Sequence, residues 1–347
     1  MKIADVTIGL DQRPFIIAEV SANHNGSLER ALEIVDAAAE AGAQAVKLQT
    51  YTADTMTIDK EDGEFLITDP DSLWTGYSLY RLYAEAHTPW EWHQPIFQRA
   101  RQHGLIAFSA PFDETAVDFL EELNVPAYKI ASFECVDLPL IRRVAATGKP
   151  MIISTGLATV SEIESAVQAA RAGGCTELAL LKCTSSYPST PENSNILTIP
   201  HMREMFGCEI GLSDHTLGIG AAMAAVAHGA SIVEKHVTLR REDGGFDSAF
   251  SLEPPELNAL VEESERAWQA LGSVRYGPSE AERESTIYRR SLYIVQDMKK
   301  GELFTPENVR RIRPGYGLSP AHYESTLGKR AAADISAGTP VSRKLLD

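Results

Sequence analysis

The chain has no apolar run approaching the roughly 20 residues that a membrane-crossing helix needs. Its first apolar segment begins almost at the N-terminus, with no secretory pattern ahead of it. Cysteine is scarce: Cys135, Cys175, Cys183 and Cys208 are widely scattered, with no CxxC pair. That pattern fits reduced thiols in a cytoplasmic protein. Positive charge is also short. Lys and Arg number 32 against 48 Asp and Glu, a formal net charge of −16, which argues against nucleic acid or an anionic membrane as partner. No GxGxxG follows an apolar run, so a dinucleotide-binding doubly wound sheet lacks its signature. What remains, 44% hydrophobic and 23% charged over 347 residues, is a globular composition with room for one large domain and a small one.

Along the first 270 or so residues, short apolar runs that end in polar residues alternate with longer runs of 3.6-residue periodicity. The strand candidates are 15–20, 43–49, 105–109, 127–131, 150–154, 177–183, 209–213 and 231–237. Helix candidates are 28–41, 89–103, 114–123, 138–146, 160–172, 219–228 and 254–271. Thr159 with Glu162 marks a helix start, and Gly42, Gly104, Gly148, Gly173 and Gly229 punctuate helix ends. Eight βα units of this size predict a (β/α)8 TIM barrel at 1–273. A linker follows at 274–290 and a small module at 291–347. The module repeats itself: Asp297, Gly301 and Phe304 recur 37 residues on as Asp334, Gly338 and Val341. Two copies are too few for a solenoid and predict a compact, pseudo-twofold domain. Residues 286–347 carry 11 Lys and Arg against 6 Asp and Glu, and the remainder 21 against 42. A basic tail beside an acidic body suggests contact between them, within or between chains.

Active sites of such barrels lie at the C-terminal strand ends. Reading those ends gives Glu19, Lys47 with Gln49, Ser109, Lys129 with Ser132 and Glu134, Ser154, Lys182 with Ser185, Ser213 with His215, and Glu234 with His236. His215 and His236 close consecutive strands joined by one helix-like unit, so both imidazoles should reach one pocket. Two histidines, with water and substrate oxygens completing the shell, make an open catalytic metal site; the alternative is two unrelated histidines at strand caps. Lysines and serines around them are donors for a phosphate and a carboxylate. Glu19 and Glu134 are candidates for acid–base work. A doubly negative anion, a carbonyl substrate and a divalent metal together suggest carbon–carbon bond formation from phosphoenolpyruvate. A Schiff-base aldolase using Lys182 or Lys129 is the competing chemistry. Two insertions are long enough to be functional: 50–88, with Trp74, Tyr77, Tyr80 and Tyr83, and 239–251, with Asp247. Tyr187, after the sixth strand, is placed to line the same pocket, and Arg313 lies in the tail's most exposed-looking loop.

Taken in order, Ala18-Glu19-Val20-Ser21-Ala22-Asn23-His24-Asn25-Gly26, Lys47-Leu48-Gln49, Lys129-Ile130-Ala131-Ser132, Ser154-Thr155-Gly156, Ser213-Asp214-His215-Thr216 and Glu234-Lys235-His236 resemble the sialic acid synthase family. Arg313-Pro314-Gly315 resembles part of that family's C-terminal antifreeze-like (SAF) domain. The stretches 47–57, 88–93, 244–252 and 313–318 look most like the branch that forms pseudaminic acid. The resemblance implies condensation of phosphoenolpyruvate with 2,4-diacetamido-2,4,6-trideoxy-L-altrose, with C–O cleavage of phosphoenolpyruvate. N-acetylneuraminate or legionaminate formation is the alternative. It implies His215 and His236 as ligands of a divalent metal (Mn²⁺, Co²⁺ or Mg²⁺). Phosphoenolpyruvate contacts fall to Lys47, Ser109, Lys129, Ser132, Ser154, Ser185 and Ser213. Sugar contacts fall to Glu19, Gln49, Tyr187, Asp247 and a partner chain's Arg313, and proton handling to Glu134. The implied assembly is a homodimer with swapped tail domains. The family commonly has Thr where Ser109 stands, and some members have Asn where Ser185 stands.

Overall fold

The computed structural model describes residues 1–347 as two compact units, Met1–Gly272 and Ser273–Asp347. In the first, eight parallel strands close into a barrel. They are β1 Phe15–Glu19, β2 Ala45–Thr50, β3 Ile106–Pro111, β4 Tyr128–Ile130, β5 Met151–Ser154, β6 Leu178–Cys183, β7 Glu209–Asp214 and β8 Ile232–His236. β8 pairs back onto β1 with His236 opposite Glu19, so no edge is left open. The crossover helices are α1 Leu28–Glu40, α2 Trp90–Gln102, α3 Glu114–Glu122, α4 Leu138–Ala145, α5 Val160–Ala172, α6 Thr198–Phe206, α7 Gly220–Ala227 and α8 Pro254–Leu271. Of these, α6 is missing from the sequence-based candidates. It follows a long polar loop and carries Pro200 in its first turn, where a missing N–H is harmless. The Thr159–Glu162 pair forms the expected capping box on α5. No helix is long and apolar enough to cross a membrane.

Strand alternation sorts the side chains into two sets. Outward residues such as Val46, Leu48, Ile130, Ile153, Leu180, Leu212 and Val233 pack under the helices. Inward residues Phe15, Ile17, Ala45, Phe108, Ala127, Ile152, Ala179, Leu181 and Ile232 form a separate apolar plug, sealed below by Ile3 and Ile8 of the N-terminal hairpin. The next inward positions up each strand are polar, which sets the floor of a site. Gly211 lies within this packing. A Cβ there would come to 2.7 Å from Leu181 Cδ2 and collide with the Ile232 carbonyl.

In the second unit, β9 Ser291–Ile294 pairs antiparallel with β10 Val309–Ile312. The 37-residue echo is a true pseudo-twofold. Asp297 accepts the Ala337 N–H and Asp334 accepts the Lys300 N–H, each at 2.8 Å. Met298 and Ile335 exchange backbone hydrogen bonds, also at 2.8 Å. Gly301 and Gly338 both sit at φ 86°, a conformation open to glycine.

Substituting Gly211→Ala is expected to destabilise the first unit by about 1–3 kcal/mol, the usual cost of overpacking. A urea unfolding midpoint equal to wild type would contradict this packing.

Candidate active site

Above the apolar plug lies a buried set of four charges. Glu19 and Lys47 are paired neighbours on β1 and β2, and their ammonium and carboxylate meet at 2.5 Å. Glu234, on β8, forms ion pairs with Lys47 at 3.7 Å and with Lys129 of β4 at 3.4 Å. Lys47 and Lys129 are only 3% and 2% exposed. Two acids and two bases balance, which is the condition under which such groups persist in a barrel interior. Burial lifts the Glu19 carboxyl above its ordinary range, with Lys47 opposing. Burial pushes Glu234 the same way, but Lys129 and then Lys47 outweigh it and hold that carboxyl low. Gln49 donates to Glu19 at 3.0 Å, and Ser213 donates to Glu234 at 3.4 Å. Glu234 was legible as a strand-end residue but was given no role in the site; the structure puts it at the centre.

Beside Lys129 is a group of hydroxyls without partners. The buried Oγ atoms of Ser154 and Ser185 make no hydrogen bond. Ser132 Oγ accepts the Gly156 N–H at 3.2 Å. A Cβ on Gly156 would lie 2.8 Å from Ser132 Oγ and collide with Ser185 Oγ, so glycine keeps this cradle open. Buried donors without acceptors are costly, and a phosphate or carboxylate would satisfy them.

The two imidazoles face each other at 5.3 Å between centroids. His215 Nδ1 donates to the Thr184 carbonyl at 3.0 Å, which leaves Nε2 as the ring nitrogen available to another partner. Burial, and then the neighbouring His215, hold His236 far below its ordinary pKa, so its ring is neutral. Its Nδ1 is buried without a hydrogen-bond partner, 3.8 Å from Asp247. Tyr187 and Phe250 pack on the rings at 4.5–5.9 Å. No set of three or more His, Cys, Asp or Glu converges as a metal cage. The donors present therefore suit a two-imidazole site with positions open to water and substrate oxygens.

One lysine not assigned a role organises this region. Lys235 is fully buried and turned outward from the barrel. It donates to Asp214 at 2.8 Å, to the Thr216 carbonyl at 2.6 Å and to the Gly218 carbonyl at 2.8 Å. All three of its donors are used, and they clamp the segment that carries His215 to the strand that carries His236.

A cavity of about 500 Å³ opens over these groups. Gln49, Ser132, Glu134, Ser185, Tyr187, His236 and Asp247 line it on one side. Burial raises Glu134 to about 7, against its own backbone N–H and Lys129. The two long insertions meet over the cavity: Trp74 Nε1 donates to the Phe246 carbonyl at 3.0 Å, and Tyr77 packs edge-on to Phe246. Asp247 accepts from Ser21.

Two sequence-based candidates, Ser109 and Lys182, fall outside this cluster. Ser109 lies between inward Phe108 and Ala110, so its hydroxyl faces the helices, 2.6 Å from Thr50, which is in turn 2.8 Å from His93 of α2. Its assignment to the anion is therefore withdrawn. Lys182 also points outward and donates to the Cys183 carbonyl at 2.7 Å and to Thr184 at 3.3 Å, which leaves the Schiff-base reading without its strand-six lysine. Arg313 belongs to the second unit, where it is exposed at the end of β10; the following turn is pinned by Ser291 to Pro314 and by Gly315 to Ile287, both at 2.7 Å.

Residues 34–276 match the NeuB family and residues 289–347 match the SAF domain. The chain belongs to the NeuB family. It is 44% identical to the pseudaminic acid synthase of Campylobacter jejuni over 328 residues, 94% of this chain and 95% of that one. It is 43% identical to the pseudaminic acid synthase of Helicobacter pylori over 333 residues, 95% and 97% of the two. Among solved structures it resembles an N-acetylneuraminic acid (sialic acid) synthetase from Leptospira borgpetersenii in complex with citrate, with TM-score 0.74 and 33% identity over 83% of this chain and 95% of that one.

Replacing Lys235 by Met leaves the Asp214 carboxylate buried and unpaired. The expected loss is about 3–5 kcal/mol of unfolding free energy, read by urea denaturation; a loss under about 1 kcal/mol contradicts the clamp.

Proposed function

We propose that this NeuB-family chain is a pseudaminic acid synthase. It condenses phosphoenolpyruvate with 2,4-diacetamido-2,4,6-trideoxy-L-altrose to give pseudaminic acid and phosphate. The observation that carries the reading is a set of unpartnered Ser154 and Ser185 hydroxyls, gathered with Ser132 around Gly156, at the same barrel mouth as two imidazoles in edge contact. One set suits a phosphorylated acid and the other a carbonyl substrate. Near-full-length identity of 43–44% to two pseudaminic acid synthases, against 33% to the N-acetylneuraminic acid synthetase, favours the diacetamido sugar.

In this reading Lys47, Lys129, Ser132, Ser154, Ser185 and Ser213 hold phosphoenolpyruvate. Glu19, Gln49, Tyr187 and Asp247 hold the sugar. A homodimer that brings in Arg313 from the partner is supported by the basic 286–347 segment beside an acidic remainder. His215 and His236 would hold the divalent metal that the family implies; bound there, it supplies Lewis-acid activation of the aldehyde. Phosphoenolpyruvate C3 attacks the aldehyde carbon, and positive charge develops at C2. Lys129 and the serine hydroxyls keep the neighbouring carboxylate and phosphate in place. Water adds at C2 and gives one proton to Glu134, whose raised pKa suits accepting it and returning it to the alkoxide left on the former aldehyde oxygen, while the other proton leaves with the phosphate. The tetrahedral intermediate then expels phosphate by C–O cleavage. The apposed insertions exclude bulk water meanwhile.

Phosphate release should be fastest, by kcat/KM, with the altrose-derived diacetamido sugar, and should vanish with a chelator. Preference for the sugar precursor of N-acetylneuraminate or legionaminate would move the assignment within the family. Phosphoenolpyruvate labelled with oxygen-18 at its bridging position should send the label to phosphate; label in the sugar acid refutes C–O cleavage. Because Glu134 must be ionised to accept a proton, kcat/KM should fall below pH about 7, and Glu134→Gln should remove that limb together with most activity. A wild-type profile flat from pH 5 to 8 contradicts this role.

A further inference from the structure

One wall of the cavity comes from the insertion after β2, two strands from the His236 strand β8 and across the closed barrel from β6. Tyr51 directly follows that strand, and helix Leu79–Ala86 presents Leu82 and Ala86 one turn apart. Met56, Leu82, Tyr83, Ala86 and Phe112 line the cavity with Tyr51. Leu82 and Ala86 are buried, yet they belong to none of the three apolar clusters that hold the two units together internally. Their apolar surface is presented to the cavity. Tyr51 is 5% exposed, and its ring is held edge-on against Tyr83 at 5.8 Å and Phe112 at 5.2 Å. Its hydroxyl makes no hydrogen bond within the chain. Burial first, and then the Asp247 charge, push the phenol above its ordinary range.

A cavity-lining phenol without a partner in the chain, beside the apolar side chains of Met56, Leu82 and Ala86, is complementary to an amide bearing a methyl. A hydroxyl would satisfy Tyr51 and leave the apolar wall uncovered, and an ammonium would lose its hydration against that wall. We propose that Tyr51, Leu82, Ala86 and Met56 form an acetamido subsite. The Tyr51 hydroxyl donates to the amide carbonyl, and the apolar side chains take the methyl group. This rests on the diacetamido hexose assigned above. The anion cradle is on β4, β5 and the loop after β6, whereas this wall follows β2, across the closed barrel from β6. The subsite therefore takes the acetamido group at C4, farther from the phosphoenolpyruvate that attacks C1, and not the one at C2.

The test compares wild type, Tyr51→Phe and Leu82→Ala on the 4-acetamido sugar and on its 4-formamido counterpart, which keeps the amide and lacks the methyl. Wild type should prefer the acetamido sugar by roughly fourfold or more, the worth of one buried methyl, and Leu82→Ala should bring that ratio close to one. Tyr51→Phe should raise the sugar KM roughly 5- to 100-fold, with the phosphoenolpyruvate KM moving less than about twofold. A Leu82→Ala ratio equal to wild type, a Tyr51→Phe sugar KM equal to wild type, or a ratio that shifts for the 2-formamido sugar instead overturns the subsite alone. Wild type inert towards every diacetamido and formamido sugar overturns the assigned reaction, and the subsite with it.

Discussion

Four buried charges at one level of the barrel constrain everything above them. Glu19, Lys47, Glu234 and Lys129 come from β1, β2, β8 and β4, so their balance exists only when the barrel is closed. Removing any one member would leave a charge of the opposite sign uncompensated in a dry interior, typically worth about 3–5 kcal/mol. The set lies beneath the cavity, one inward position below Gln49 and His236 of its lining. It holds Lys129 beside the unpartnered Ser154 and Ser185 hydroxyls and fixes Glu19 against Gln49 at 3.0 Å. Stability and anion recognition thus draw on the same lysines, which is a reason for the barrel to keep ionic groups where apolar ones would pack at least as well.

A second constraint acts from outside the barrel. Lys235 points away from the cavity and binds three acceptors of the segment that carries His215. The imidazoles are thereby oriented from behind, while Tyr187 and Phe250 confine them from the front. Specificity is assigned to a third layer, the insertions that meet through Trp74 and Phe246. Floor, imidazole rim and insertions form successive layers, and β8 ties the first two together through Glu234 and His236.

The barrel itself was legible because every strand is a short apolar run with a polar end, and because glycines mark the turns between units. α6 was not, since its long preceding loop and Pro200 hide the period. The rim residues were legible as a set but not in their direction. Strand alternation decides which of two neighbours faces inward, and β3 runs two residues past the position read as its end. Ser109 therefore looked like a terminal, inward hydroxyl when it is bonded to Thr50 on the outer face. Glu234 went without a role because a carboxylate next to a candidate ligand says nothing about partners on β2 and β4, far away in sequence. The same distance hid the contact between Trp74 and Phe246, 172 residues apart. The echo in the tail was readable because each half supplies the same aspartate to the other's backbone.

The most direct measurement is diffraction from crystals grown with manganese(II) and phosphoenolpyruvate. The account expects a cation bound by both His215 and His236, with the phosphate and carboxylate held by Lys129 and the Ser132, Ser154 and Ser185 hydroxyls. An anion bound elsewhere, or the two imidazoles turned from each other around an empty barrel mouth, would contradict it.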